Sequence, residues 1–232
     1  WTAGSVTNNA PFTIIDDIAY IGLNGIGVAR YEISTKSWLP TWTEYSGSPS
    51  GNAILDPGNG DVTSLVADYG RVASSGSNPA NPEQIWIGGE DGFQLIDAIN
   101  GDELYDIEKS DSLYVGNGDP FDMVIYGDTL YYHQAQSSDN IFRIDVGNFS
   151  GLSALDAGQQ IGENGGDIYG IDVVGDMLMV GVASGQWWNT DGSGGIAQWN
   201  LSTNSWEVNI EPIGAVNRVT AYETSTGATF IS

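Results

Sequence analysis

Short apolar runs alternate with polar turns along the whole chain. Phe12 to Ile15 precedes an Asp16-Asp17 turn, and then come Ile18 to Leu23 (I-A-Y-I-G-L), Val28 to Ile33 and Trp38 to Trp42. Apolar residues alternate with others at period two, the period of a strand whose side chains point to opposite faces. Nowhere do they hold i, i+3, i+4, i+7 spacing over three turns, so the pattern predicts strands and no amphipathic helix. Turns of two to five residues join only antiparallel neighbours, so these four strands make a meander.

The four-strand pattern then returns. A second unit takes in Val62 to Asp68, Gln84 to Gly88, Phe93 to Ala98 and Leu104 to Ile107, with a Gly, Ser, Asn and Pro-rich insertion over Gly70 to Glu83. A third has Met123 to Tyr126, Leu130 to Gln134, Ile141 to Val146 and a weakly marked strand before Gln160. A fourth has Tyr169 to Val174, Met177 to Ala183, Ile196 to Leu201 and Trp206 to Ile210, and Val216 to Tyr222 with Ala228 to Ile231 begins a fifth. The clearest repetition is G-V-A-R-Y-E-I-S-T-K-S-W from Gly27 to Trp38 against G-I-A-Q-W-N-L-S-T-N-S-W from Gly195 to Trp206. It predicts that Trp38 and Trp206 occupy equivalent positions.

A repeat of about 40–50 residues with four strands is the arithmetic of propeller blades, which close their cores by stacking on one another. The expectation is one all-β domain over residues 1–232. It is a β-propeller of four-stranded antiparallel blades near 12–42, 62–107, 121–160 and 167–210, with half of a fifth at 215–232. R-Y-E-I-S-T-K-S-W and Q-W-N-L-S-T-N-S-W resemble the third-strand, turn and fourth-strand segment of two-component-regulator-type and quinoprotein-like (PQQ-like, YVTN-like) propellers. G-D-T-L-Y-Y at Gly127 and G-D-M-L-M-V at Gly175 are similar to the start of the second strand in those families. The resemblance implies an architecture more than a function. WD dipeptides and sialidase-type boxes are absent, and only Gly165-Gly166 is similar to a kelch signature.

The chain opens at Trp1, at the tail of one unit, and stops after two strands of another. The expectation is a piece of a propeller of six to eight blades, or a chain whose open blade edge is covered by another copy.

Charge narrows the partners. Thirty acidic against six basic residues among 232 give a net charge of −24, which repels nucleic-acid backbones and anionic lipid surfaces. Such a chain stays soluble where salt screens its self-repulsion, which fits a marine, halophilic or extracellular setting, and added salt is expected to raise its melting temperature. The longest apolar stretch, around Met177 to Ala183, is far short of the roughly 20 residues of a membrane helix. There is no cysteine for a disulfide, a thiolate or a Cys-based zinc site.

Candidate chemistry is sparse. His133 is the sole histidine, and no G-x-S-x-G elbow accompanies it, so it reads as a packed or strand-end residue rather than a general base. Acid pairs such as Asp119 with Asp122, or Asp102 with Glu103, occur by chance among so many carboxylates; most of the acids sit in turns, where they bond the local backbone. The least ordinary stretch is Gln186-Trp187-Trp188-Asn189. Adjacent side chains of an extended segment point to opposite faces, so one tryptophan packs while the other faces out, and Trp187, Trp188 and Asn189 form a candidate platform for a sugar or peptide. Asn189, Asp191 and Ser193 alternate oxygen side chains in a Gly-rich loop and are candidate Ca2+ ligands. The loop is not an EF-hand, because Asn200 stands where the bidentate Glu is needed.

These features point to a non-catalytic extracellular or cell-surface module for protein or glycan interaction. The alternatives are a propeller carbohydrate-active enzyme, a glycosidase or lyase using paired carboxylates, and a calcium-stabilised structural domain.

Overall fold

The computed structural model describes residues 10–23, 27–40, 62–69, 83–89, 92–114, 118–134, 140–147, 150–156, 167–183, 195–207, 216, 218–224 and 227–231. Among them there are strands and no helix, hence no helix long and apolar enough to cross a membrane. Blade 1 consists of β1 (Phe12–Ile15), β2 (Ile18–Leu23), β3 (Gly27–Glu32) and β4 (Ser37–Trp38). Blade 2 has β5 (Val62–Tyr69), β6 (Glu83–Gly89), β7 (Gly92–Asp97) and β8 (Glu103–Glu108). Blade 3 has β9 (Pro120–Tyr126), β10 (Thr129–Gln134), β11 (Asn140–Asp145) and β12 (Ser150–Asp156). Blade 4 has β13 (Asp167–Val174), β14 (Met177–Ala183), β15 (Gly195–Asn200) and β16 (Ser205–Trp206). A two-stranded sheet of β17 (Thr220–Thr224) and β18 (Gly227–Ile231) follows. Each four-stranded sheet is paired in chain order, as a meander must be.

The predicted strands are present, with informative shifts at their ends. The fourth strands of blades 1 and 4 are seen over Ser37–Trp38 and Ser205–Trp206, and residues 41–42 and 208–210 of their expected spans lie outside the described residues. After Trp38, Leu39 N–H still reaches the Arg30 carbonyl at 3.0 Å, but Pro40 has no N–H to continue the ladder. The first strand of the fifth blade begins at Thr220 rather than Val216. Val216 and Val219 are spent on packing instead, as they bury against Val174, Met179 and Ile196 of blade 4.

Glycines make that approach possible. A Cβ at Gly181 would lie 2.7 Å from a Val219 methyl carbon and 2.8 Å from one of Val216, and a Cβ at Gly170 would lie 2.9 Å from the Val219 nitrogen. Gly22 and Gly88 hold the corresponding second-strand position in blades 1 and 2. A Cβ at Gly22 would meet Val62 at 2.6 Å, and one at Gly88 would run into the Ser64 hydroxyl and lie 3.1 Å from Pro120. Blade 3 departs from this rule, because His133 stands at the equivalent position.

The chain divides into two compact units. In the first, Trp1–Tyr114 with Asp119–Phe121 and Val146–Ser150, blades 1 and 2 share a core of Ile15, Tyr20, Val28, Val62, Leu65, Ile85, Ile87 and Ile96. In the second, Val115–Gly118 with Asp122–Asp145 and Gly151–Ser232, Tyr131, Ile141 and Leu155 of blade 3 pack on Ile171, Leu178, Val180, Ala197 and Trp199 of blade 4. Burial of an Ile, Leu or Val side chain contributes about 1.5–3 kcal/mol, so these shared cores, more than any single sheet, hold each unit together. Tyr20 ties blade 1 to blade 2 as well: its buried hydroxyl donates to the Ala98 carbonyl at 3.0 Å, and burial pushes its pKa up to about 12.

Candidate functional site

The repeated motif builds the same hairpin twice. Tyr31 pairs with Trp38 and Trp199 with Trp206 in identical register. The rings of both pairs meet edge to face with centroids 5.1 Å apart. In the turns between, Lys36 and Asn204 adopt the left-handed conformation, at φ 55° and 53°. The expected equivalence of Trp38 and Trp206 therefore holds in position and ring geometry.

Acids in the other turn fasten these hairpins. In blade 1, Asp17 accepts from the Ser34 amide at 3.0 Å and from its hydroxyl, while its carbonyl accepts from Ile33 N–H at 2.8 Å. In blade 4, Asp176 does the same with the Ser202 hydroxyl at 2.9 Å and Leu201 N–H at 2.8 Å. Hydrogen bonds from Tyr126 and Ser202 hold the Asp176 carboxylate below the usual range. The residue ahead of each of these acids is Asp16 or Gly175, again left-handed at φ 52° and 54°.

Buried polar groups lie deeper in the blades. Trp86 donates its indole N–H to Asp68 at 3.2 Å. Asp122 on β9 accepts from Met123 N–H at 3.0 Å and from Ile171 N–H of β13 at 3.1 Å. It clamps the first strands of two neighbouring blades. The residue is only partly buried, but its carboxyl points inward; desolvation pushes it up to about 6, against the pull of the two amides and of Arg218. His133 is buried on β10, and desolvation pushes it down to about 4. A neutral imidazole in the core fits packing, as the sequence expectation had it. Next to it, the Gln134 side-chain oxygen accepts from Gly118 N–H at 3.0 Å.

The two acid pairs singled out from the sequence are parts of the fold. Asp119 forms an ion pair with Lys109, Asp122 is the clamp just described, and Glu103 accepts from Gln94 at 3.2 Å. Asp102 lies in the β7–β8 turn, where its amide donates to Asn100 at 2.9 Å. Among the described residues, no group of three or more His, Cys, Asp or Glu side chains is arranged to hold a metal ion.

Trp187, Trp188, Asn189, Asp191 and Ser193 lie outside the described residues. What is described is the frame on either side, where Val182 of β14 pairs with Gly195 of β15. Sequence reasoning missed the Asp122 clamp, which depends on contact between strands far apart in the chain. It also missed the exception at His133, which aligning the second strands on Gly22, Gly88 and Gly181 would have exposed.

No family model matches this sequence, and no curated protein matches it. Solved structures do. The computationally designed Ika8 protein has a TM-score of 0.55 at 14% identity over 90% of this chain and 51% of its own. The fold is a β-propeller. The extracellular domain of the hybrid two-component system BT4673 from B. thetaiotaomicron gives 0.55 at 11% identity, covering 91% of this chain and 24% of that one. Dihydro-heme d1 dehydrogenase NirN in complex with DHE gives 0.53 at 14% identity, covering 89% and 39%. The propeller chain thus spans about half the length of Ika8 and about a quarter of the BT4673 domain.

Proposed function

We propose that this chain is a non-catalytic propeller module, extracellular or displayed at the cell surface, that binds a protein or glycan ligand through residues 184–194 of blade 4. One observation carries the reading: Asp17, Asp68, Asp119, Asp122 and Asp176 each have a named partner within the fold. These five acids serve as turn staples, strand clamps and an ion pair, a structural use that favours a binding module over hydrolysis by paired carboxylates. Binding chemistry then falls to the long connection after β14, where Trp187 and Trp188 offer flat apolar faces and Asn189 a donor and an acceptor.

The charge of −24 suits a setting where salt screens self-repulsion. The likeness in fold to an extracellular domain of a two-component system accords with that setting and with the regulator-type strand motifs. In this reading Asn189, Asp191 and Ser193 take Ca2+, which orders the loop that carries the tryptophans. The test is a screen of the purified chain against glycans and peptides, with calcium and with chelator. A ligand that binds the parent and not Trp187→Ala or Trp188→Ala is expected. Binding that survives both substitutions would overturn the reading, as would glycan turnover by the parent chain.

A further inference from the structure

Strand β8 is the last of blade 2 and, among the described residues, pairs with β7 alone. Its register sets Glu108 opposite Gly92 and Asp106 opposite Gln94, and a shift after Leu95 sets Glu103 opposite Ile96. Three acids of one strand therefore share a face with Gln94. Gln94 is only 8% exposed. Its side-chain N–H donates to Glu103 at 3.2 Å, whereas its side-chain oxygen is closed off from solvent and accepts no hydrogen bond. Turning the amide over gives no relief, because the oxygen would then face the Glu103 carboxylate. A buried acceptor left without a donor is costly. Side chains directly opposite on paired strands have Cβ atoms about 4.5–5.5 Å apart, so the Asp106 carboxyl is within reach of that oxygen. An ionised carboxyl only accepts; a protonated one carries an O–H to donate.

We propose that Asp106 and Gln94 form a proton-binding site: with a proton taken from solvent, the Asp106 carboxyl donates to the Gln94 side-chain oxygen and fastens β8 to β7. Without that proton the carboxylates of β8 repel one another and the strand is held less tightly. The charges acting on Asp106 all push one way. Desolvation first, and then Glu103 and Glu108 of its own strand and Asp111 of the following turn, push its carboxyl up to about 6, although the residue as a whole is exposed. Strand β7 presents Gly92, Gln94 and Ile96 on this face, none of them ionisable. Lys109, beside the strand, is paired with Asp119. On the blade 1 side, Arg30 donates to the Ile99 and Pro40 carbonyls and Glu32 accepts from the Thr35 hydroxyl; on β6, Glu83 lies beside Asp16. The folded-state value is raised, so the contribution is complete below 3.8 and lost as pH rises through about 6. The inference is independent of the ligand proposed for residues 184–194.

Two measurements test it: carbon-13 NMR titration of the side-chain carboxyls, and hydrogen exchange of the β8 peptide read by mass spectrometry. Asp106 of the parent chain is expected to titrate near 6. After correction for the intrinsic pH dependence of exchange, β8 amides should be several times better protected at about pH 5 than at about pH 8. Asp106→Asn supplies an amide donor at every pH and should keep the higher protection at both. Asp106→Ala removes the charge without supplying a donor, and should protect β8 several-fold less than Asp106→Asn does. His133 and Asp122 titrate over the same range in blade 3, so only the β8 peptide is read. Asp106 is exposed, so neither substitution opens the core; if a variant fails to fold, the carboxyl titration of the parent decides. An Asp106 that titrates near 3.8 would overturn the proposal. So would β8 protection that does not change with pH, or equal protection in the Asn and Ala variants.

Discussion

The hairpins Gly27–Trp38 and Gly195–Trp206 are one local structure in two environments. Register, the edge-to-face ring pair and the acid's bonds to the serine hydroxyl and to the preceding amide are shared, although the serine amide itself bonds Asp17 in blade 1 and Asn200 in blade 4. Burial is not shared. Trp199 is 8% exposed beneath blade 3, with Arg143 over its ring and bonded to Asn204 at 3.0 Å, whereas its counterpart Tyr31 is only half-buried and Trp38 is 51% exposed. The comparison separates what a motif encodes from what its neighbours add: sequence sets the hairpin, and the adjacent blade supplies most of the stabilisation.

The largest effect should come from removing the buried ring. Trp199→Ala is expected to cost about 3–5 kcal/mol, the usual range for truncating a buried aromatic residue, and Tyr31→Ala about 1–2 kcal/mol because less area is lost. Denaturant titration of both variants measures the difference. Equal losses would mean that the hairpin, and not its covering, carries the stability.

A second test works on the covered side and uses pH. His133 is pushed down from 6.5 to about 4, so its contribution is intact above 6.5 and lost as pH falls through that window. Asp122 is pushed up from 3.8 to about 6, so its contribution is present below 3.8 and lost as pH rises through 6. Each amounts to roughly 1–3 kcal/mol and their slopes oppose each other between pH 4 and 6. Asp122→Asn keeps the carbonyl acceptor for Ile171 and should leave the acid loss from His133 uncompensated, which steepens the decline in stability from pH 6 to 4. His133→Gln should reverse the slope. Chemical denaturation at several pH values reads both; unchanged slopes would contradict the burial of these two groups.

The smallest effect belongs to the turns. Lys36 holds a left-handed conformation that Asn204 adopts more readily, so Lys36→Asn should stabilise blade 1 by about 0.5–1 kcal/mol. Asn204→Lys should destabilise blade 4 by at least as much, because it also removes the Arg143 contact. Paired thermal melts check the signs.

Most of the fold was legible because each strand carries a period-two pattern and each turn its Gly, Asp or Asn. Val216 and Val219 misled that reading: they look like alternating strand residues, but they plug the space left by Gly170 and Gly181, a fact of packing that no local pattern contains. Even the weakly marked strand before Gln160 exists, as Ser150–Asp156, held by pairing with its neighbour rather than by its own apolar content. Asp97 and Asp111 bond the backbone of their own turns, as the reading of turn acids expects, accepting from Ile99, Asn100 and Glu108, whereas Asp17 and Asp176 reach serines 17 and 26 residues away. Asp122 escaped that reading as well, because its partner Ile171 lies in another blade. The tryptophans at 187 and 188 stand out in sequence alone.

Hydroxyl-radical footprinting read by mass spectrometry tests the central comparison most directly. In dilute solution, side-chain oxidation should be several times faster at Phe12 and Trp38 than at Ile171 and Trp199. Equal oxidation of the two pairs in dilute solution would contradict the account, because it would mean that the neighbouring blade does not distinguish them.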